Sequence, residues 1–393
     1  MKISMNNTFS RRNIILVAIL LLLLLLLVPL IKERVLQVST SEAFPAGYGQ
    51  AQALGKIDVT DWSPDGTRLL GHNKDANGVF QVYTWDTNGG DEQMISVPAG
   101  VPGLSAGCHK GFAHYGPGGE YIVLSVEMNF LCPKQNSAPG LASSTNLWVV
   151  HLRTNTWTNL TNYPLPQQVT DLNGALSPYF SPDGTKIVWA KILEKADYSN
   201  PRMIFGKWEV HVADFSLDGG PHITNDTVLA LGEGNIYETH GFSPDGGKIL
   251  FSADIGLEYS AGLDLWEYNL TTRELTNLTN SPREYDEHAR YSRDGQSIIW
   301  GSTKCCRSYN VQWFLGTLRS EAYTKRLDNL AEQTQLTRFN MEGLFIRKTE
   351  RTGNWTTAWS PDGKSIIVAQ QTYSDGIKWK SWKITLPDDS SLR

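Results

Sequence analysis

Four times in this chain an aromatic residue is followed by Ser-Pro-Asp-Gly and then by an apolar strand: at Trp62–Gly66, Phe180–Gly184, Phe242–Gly246 and Trp359–Gly363. Two degenerate copies, Tyr115-Gly116-Pro117-Gly118-Gly119 and Tyr291-Ser292-Arg293-Asp294-Gly295, fill the gaps. The final glycines are 53, 65, 62, 49 and 68 residues apart, so six units cover residues from about 56 to 386. Proline presets φ for the first central position of a turn, Asp suits the second, and glycine closes it in the left-handed region. Each copy therefore predicts a hairpin.

The residues after each turn complete the unit. A second strand is apolar and β-branched, as in Lys186-Ile187-Val188-Trp189 and Ser297-Ile298-Ile299-Trp300. A third alternates, as in Trp208-Glu209-Val210-His211-Val212 and Leu265-Trp266-Glu267-Tyr268. A fourth ends in Leu160-Thr161-Asn162, Ile223-Thr224-Asn225, Leu278-Thr279-Asn280 and Leu336-Thr337. Four strands per unit at this period predict an all-β fold, a six-bladed β-propeller. The pattern resembles the TolB-like β-propeller repeat over nearly all of residues 56–393. That resemblance implies the fold and leaves function open, since such repeats serve periplasmic scaffolds, peptidase gating domains and some polysaccharide lyases. TolB carries an α/β domain ahead of its propeller, whereas only about 25 residues precede the first repeat here after an apolar run.

That run, Ile14 to Ile31, holds 18 residues without a charge and eight consecutive leucines, Leu20 to Leu27. At ~1.5 Å per residue it spans roughly 27 Å, close to a bilayer's hydrocarbon thickness. Lys2, Arg11 and Arg12 precede it; Lys32-Glu33-Arg34 follow where a cleaved signal peptide would carry small residues. The expectation is a retained transmembrane helix over 14–31, a cytoplasmic tail over 1–13, a linker over 32–55, and a propeller over 56–393 on the extracytoplasmic side, periplasmic or at the cell surface. With 35 Lys+Arg against 40 Asp+Glu and no basic cluster, nothing provides a footprint for nucleic acid.

In a blade numbered outward from the channel, the Ser-Pro-Asp-Gly turn joins the first strand to the second. Turns between third and fourth strands share its face and are short, as in Thr87-Asn88-Gly89-Gly90 and Leu217-Asp218-Gly219-Gly220. The opposite face collects the long connections, from Asn129 to Asn146, Leu193 to Lys207, Thr303 to about Ser320, and Phe339 to Trp355. Elaborated loops on one rim point to a functional face. His109 and His114, Glu238 and His240, and Asp286, Glu287 and His288 enter first strands, and His72 follows a second strand. These eight are the candidate ligand-binding residues. Histidines and carboxylates from separate blades could bind a divalent metal, although no short-spaced ligand motif such as His-x-x-x-His occurs. No cofactor is otherwise implied. Gly103-Leu104-Ser105-Ala106-Gly107 matches a hydrolase nucleophile elbow, but an inner strand, not a helix, is expected after it.

Cys108 and Cys132 flank two strands of the second unit and fall on the loop-rich face, which predicts a disulfide suited to an oxidising compartment. Cys305 and Cys306 could form a vicinal disulfide, remain thiols, or pair elsewhere. The sixth unit lacks a fourth strand, so either Val35–Val38 or Gln50–Leu54 is expected to pair with Ser381–Leu386 and close the ring. The expected function is binding of an envelope or cell-surface protein or glycan through the loop-rich face. The alternative is a metal-dependent, polysaccharide lyase-like enzyme with His, Glu and Asp at the channel mouth.

Overall fold

The computed structural model describes residues 51–127, 144–164, 174–260, 262–306, 318–342, 345–346, 352–372 and 378–386. Six four-stranded antiparallel sheets follow one another along the chain. Their innermost strands are Asp58–Trp62, Lys110–Tyr115, Ala175–Phe180, Tyr237–Phe242, Asp286–Tyr291 and Thr352–Trp359, which begin blades 1 to 6. A two-stranded hairpin, Met341–Glu342 with Phe345–Ile346, lies between blades 5 and 6. The described helical elements are two short 3-10 turns, Pro117–Gly119 and Thr303–Cys305.

The apolar second strands explain the packing. Side chains alternate between sheet faces, and each blade is covered on both faces by its neighbours, so both sets must be apolar. Thus Ile187 and Trp189 pack with Val123 and Val149 of blade 2, while Val188 and Ala190 pack with Ile249 and Phe251 of blade 4. The buried residues divide into six clusters, one for each blade interface. Each fully buried Val, Leu or Ile contributes roughly 1.5–3 kcal/mol.

The turn motif acts within and between blades. In the first copy Ser63 Oγ donates to Asp65 Oδ1 at 2.6 Å and accepts from Arg68 N at 2.8 Å. The same pair of bonds recurs from Ser181, Ser243, Ser292 and Ser360. The prolines then interlock the ring, each packing on the glycine of the next turn. A Cβ on Gly119 would lie 3.3 Å from Pro64, one on Gly184 3.3 Å from Pro117, and one on Gly295 3.4 Å from Pro244. Blade 5 has Arg293 where proline is usual, and its guanidinium donates to the Pro361 carbonyl of blade 6.

Ring closure uses the segment before the first repeat. Ala51–Gly55 pairs antiparallel with Lys378–Thr385, with Ala51 opposite Ile384, Gln52 opposite Lys383 and Ala53 opposite Trp382. Of the two candidate segments this is the second; Val35–Val38 lies outside the described residues. Ser381 Oγ secures the seam by donating to Ile57 O at 2.7 Å. The apolar run over 14–31 also lies outside the described residues, and among those described no helix is long and apolar enough to cross a membrane.

Candidate functional site: a closed axis and an open loop face

Every innermost strand breaks register near its middle, between Val59 and Asp61, Gly111 and His114, Leu176 and Tyr179, Thr239 and Gly241, Glu287 and Arg290, and Asn354 and Thr356. Such bulges re-aim side chains. Three of them place a non-glycine residue in the left-handed region, Phe112 at φ 50°, Ser177 at φ 50° and His288 at φ 57°. The positions just before the turn-motif aromatics, which include Asp61, His114, Tyr179, Gly241 and Arg290, thereby come close to the axis.

Arg290 fills that axis. Its Nη1 donates to His240 O of blade 4 at 3.0 Å, and Nη2 lies 3.4 Å from Thr60 O of blade 1. Nη2 also approaches His114 Nε2 of blade 2 at 3.5 Å, and the guanidinium covers the Tyr179 ring of blade 3 at 4.5 Å. His114 stacks on that ring at 4.0 Å. Gly241 makes the crowding feasible, since a Cβ there would lie 3.3 Å from Tyr179. The space left among these side chains is about 10 Å³, room for one water at most.

Around Arg290 the titratable groups are tuned by burial. Burial pushes His114 down to about 4, with Asp61 opposing and Arg290 assisting. Burial likewise lowers His240, helped by His288 and Arg290; its Nε2 contacts Ser252 Oγ at 2.6 Å. Glu238 is raised well above the usual carboxylate value, by burial first and then by the charge of Glu287. Glu287 is also desolvated, but His288 and hydrogen bonds from His288, Glu238 and Tyr285 outweigh this and bring it to about 2. A protonated Glu238 donating to an ionised Glu287 is the consistent state. Ligand atoms of Glu238, Glu287 and His288 all lie within 4.8 Å of one another, so these three residues would be the ones to hold a metal. The shared proton and the nearby Arg290 already balance their charge.

The other sequence candidates are placed apart from this group. His72 Nε2 meets Asp58 Oδ2 at 3.1 Å, both buried, and Phe80 packs edge-on to its ring. His109 Nδ1 accepts the Phe80 N–H at 3.0 Å and ties blades 1 and 2. Asp286, raised to about 6 by burial, accepts from Ser281 Oγ and from Trp300 Nε1 at 3.0 Å. All three are buried, His72 and Asp286 paired within their own blades and His109 across to blade 1, in place of an open mouth. Arg290 and Tyr179 were absent from the sequence candidates, although aligning the six copies and reading one residue before each aromatic picks out both.

Lys110 explains the hydrolase-like segment. Its ammonium is wholly buried and donates to the carbonyls of Cys108 at 2.6 Å, Ser105 at 3.2 Å and Ala106 at 3.3 Å, and to Gln81 Oε1 at 3.0 Å. Gly103–Gly107 is thus a turn wrapped around a lysine, with no strand before it and no helix after it. Cys108 is disulfide-bonded; its expected partner Cys132 lies outside the described residues. Cys305 and Cys306 form a vicinal disulfide.

The loop-rich face offers the open space. Between blades 3 and 4 a groove of about 790 Å³ is lined by 194–200, Met203, Lys207 and Asn235. A second hollow of about 450 Å³ shares Asn200, Met203, Lys207 and Asn235 with it. Tyr198 stands at this site with 65% of its surface exposed.

A ring of six four-stranded blades converging on a filled axis is a β-propeller of the TolB type. No family model matches the chain. The crystal structure of TolB from Acinetobacter baumannii matches with a TM-score of 0.51 at 14% identity, covering 81% of this chain and 63% of that one. The structure of a TolB from Agrobacterium tumefaciens matches with a TM-score of 0.49 at 16% identity, covering 86% and 91%. Dipeptidyl-peptidase 5 of Porphyromonas endodontalis is 28% identical over 171 residues, 35% of this chain. The chain spans about a quarter of that relative's length, 24%. At 14% identity the likeness to the Acinetobacter structure establishes the fold alone.

Proposed function

We propose that this chain is a membrane-anchored, extracytoplasmic interaction module that binds a protein or glycan partner through its loop-rich face. The observation that carries the reading is the contrast between the two places a ligand could sit. The axis keeps about 10 Å³ free around Arg290, whereas the loop face holds a groove of about 790 Å³. Anchoring rests on the uncharged run from Ile14 to Ile31, whose length and leucine content suit a bilayer. A large domain carried beyond a single signal-anchor would meet envelope or surface partners.

The full-length chain, used as bait in detergent-solubilised membranes, tests the reading. Lys207→Glu with Tyr198→Ala on the loop face should remove the captured partner, and Asp218→Lys on the turn face should retain it. Capture that survives the loop-face changes would sink the reading.

A further inference from the structure

The two hollows between blades 3 and 4 share four lining residues and form one elongated groove. Its walls are built before any ligand arrives. Asp254, fully buried, accepts from Asn235 N at 2.6 Å, from Ile236 N at 3.1 Å and from Ser260 Oγ. Ser260 in turn donates from its N–H to Pro201 O at 3.0 Å, and its Oγ also lies against Arg202 O. One carboxylate therefore joins the three connections that make the groove. Within the 195–206 loop, Asp197 N donates to Met203 O at 2.7 Å and Met203 N to Asn200 O at 2.8 Å. A preorganised wall loses little entropy on binding.

The lining specifies the chemistry. Lys195, Arg202 and Lys207 are matched in number by Glu194, Asp197 and Glu233, so the groove has no net charge to recruit an ionic ligand. The side-chain nitrogens of Asn200 and Asn235 have no partner among the described residues and point to hydroxyl or carbonyl acceptors. Tyr198 presents a largely exposed ring in the wall, and Tyr259, 54% exposed, immediately precedes Ser260 on the adjoining loop. Exposed rings beside amide and charged groups provide an apolar platform with polar tips around it. A chain of neutral sugar rings, apolar on their faces and hydroxylated on their edges, meets both demands. An apolar peptide would leave the amides and charges unmatched, and a polyanion would find no net positive charge in the lining.

We infer that the groove between blades 3 and 4 is a binding site for a neutral oligosaccharide, with Tyr198 as the stacking platform; this rests on the reading of the loop-rich face as the binding surface. The test is calorimetric titration of the full-length chain, in a detergent without a sugar headgroup, with neutral hexasaccharides of glucose, mannose and N-acetylglucosamine, and with hexagalacturonate. At least one neutral sugar should bind more tightly than about 1 mM, and hexagalacturonate more weakly than it. Tyr198→Ala should weaken that binding at least tenfold with an unchanged melting temperature, Tyr198→Phe should restore most of it, and Asp218→Lys should have no effect. Failure of every neutral sugar to bind at millimolar concentration, equal or tighter binding of hexagalacturonate, or indifference to Tyr198→Ala would overturn the inference. Such a failure, with partner capture still dependent on the loop face, would leave the broader reading intact. Capture that ignores loop-face changes would remove that reading by itself.

Discussion

Arg290 of blade 5 reaches across the channel to His114 of blade 2, its Nη2 3.5 Å from the imidazole Nε2. The two positions lie on opposite blades of a six-membered ring. Contacts from one guanidinium to blades 1, 2, 3 and 4 make the axis a structural joint rather than a passage.

Removing that joint should cost stability without costing binding. Arg290→Ala leaves buried carbonyls of His240 and Thr60 without their donor and opens a cavity, so a loss of about 2–4 kcal/mol is expected. Arg290→Lys should recover less than half, because an ammonium cannot serve both carbonyls and stack on Tyr179. Urea unfolding measures both. A fully stable Arg290→Ala protein would mean that the guanidinium joins nothing of consequence.

The buried titratable groups give opposing pH dependences. His114 and His240 are held below their ordinary values, so as pH falls through 6.5 the unfolded chain binds protons that the folded chain refuses, and stability drops. Asp286, raised to about 6, and Glu238, raised well above its usual value, act the other way. There the folded chain binds its protons first, and stability rises as pH falls toward 4. Glu238→Gln with Asp286→Asn deletes the offset. Between pH 6 and 5 the double variant should lose stability more steeply than the parent, by up to about 1.4 kcal/mol per pH unit for each carboxyl removed. Parallel pH profiles for the two proteins would refute the assignment.

The turn ring makes a packing prediction. Gly184 has φ 73°, and a Cβ there would press on Pro117 at 3.3 Å; Gly219 has φ 78° with open space around it. Gly219→Ala should cost about 1 kcal/mol through backbone strain alone. Gly184→Ala should cost clearly more, because strain and contact add. Equal losses would show that the prolines and glycines do not interlock.

Much of this architecture is legible in the sequence because turn chemistry is local. Pro64, Asp65 and Gly66 specify a hairpin by themselves, and six copies spaced 49 to 68 residues apart specify the ring. The missing fourth strand of blade 6 and the alternation before residue 56 narrowed the closing strand to two segments. The site was harder to read. His72, His109 and Asp286 carry the residue types of a ligand site, yet their partners, Asp58, Phe80 N and Trp300, lie on other strands. Burial and pairing between strands cannot be counted along one strand. Arg290 was hidden for a related reason: a bulge at Glu287–Arg290 turns it inward, and a strict two-residue alternation does not anticipate bulges.

Closure of the ring should be a large contributor. Deleting residues 51–55 exposes the edge of Lys378–Thr385 and removes Leu54 from its cluster. A loss of about 3–5 kcal/mol would lower the melting temperature by roughly 10 °C in a domain of this size. An unaltered melting curve would show that blade 6 needs no fourth strand.

The central claim is that the loop-rich face, not the turn face or the axis, meets the partner. Photo-crosslinking amino acids placed singly at Tyr198 and Tyr259 on the loop face, and at Leu217 and Asp218 on the turn face, test it in intact membranes. These four sites sit on exposed connections, so each probe is tolerated by the fold. Adducts of a common mass from Tyr198 or Tyr259, and none from Leu217 or Asp218, are the predicted result. Adducts confined to the turn-face positions, or formed equally from both faces, would contradict the account.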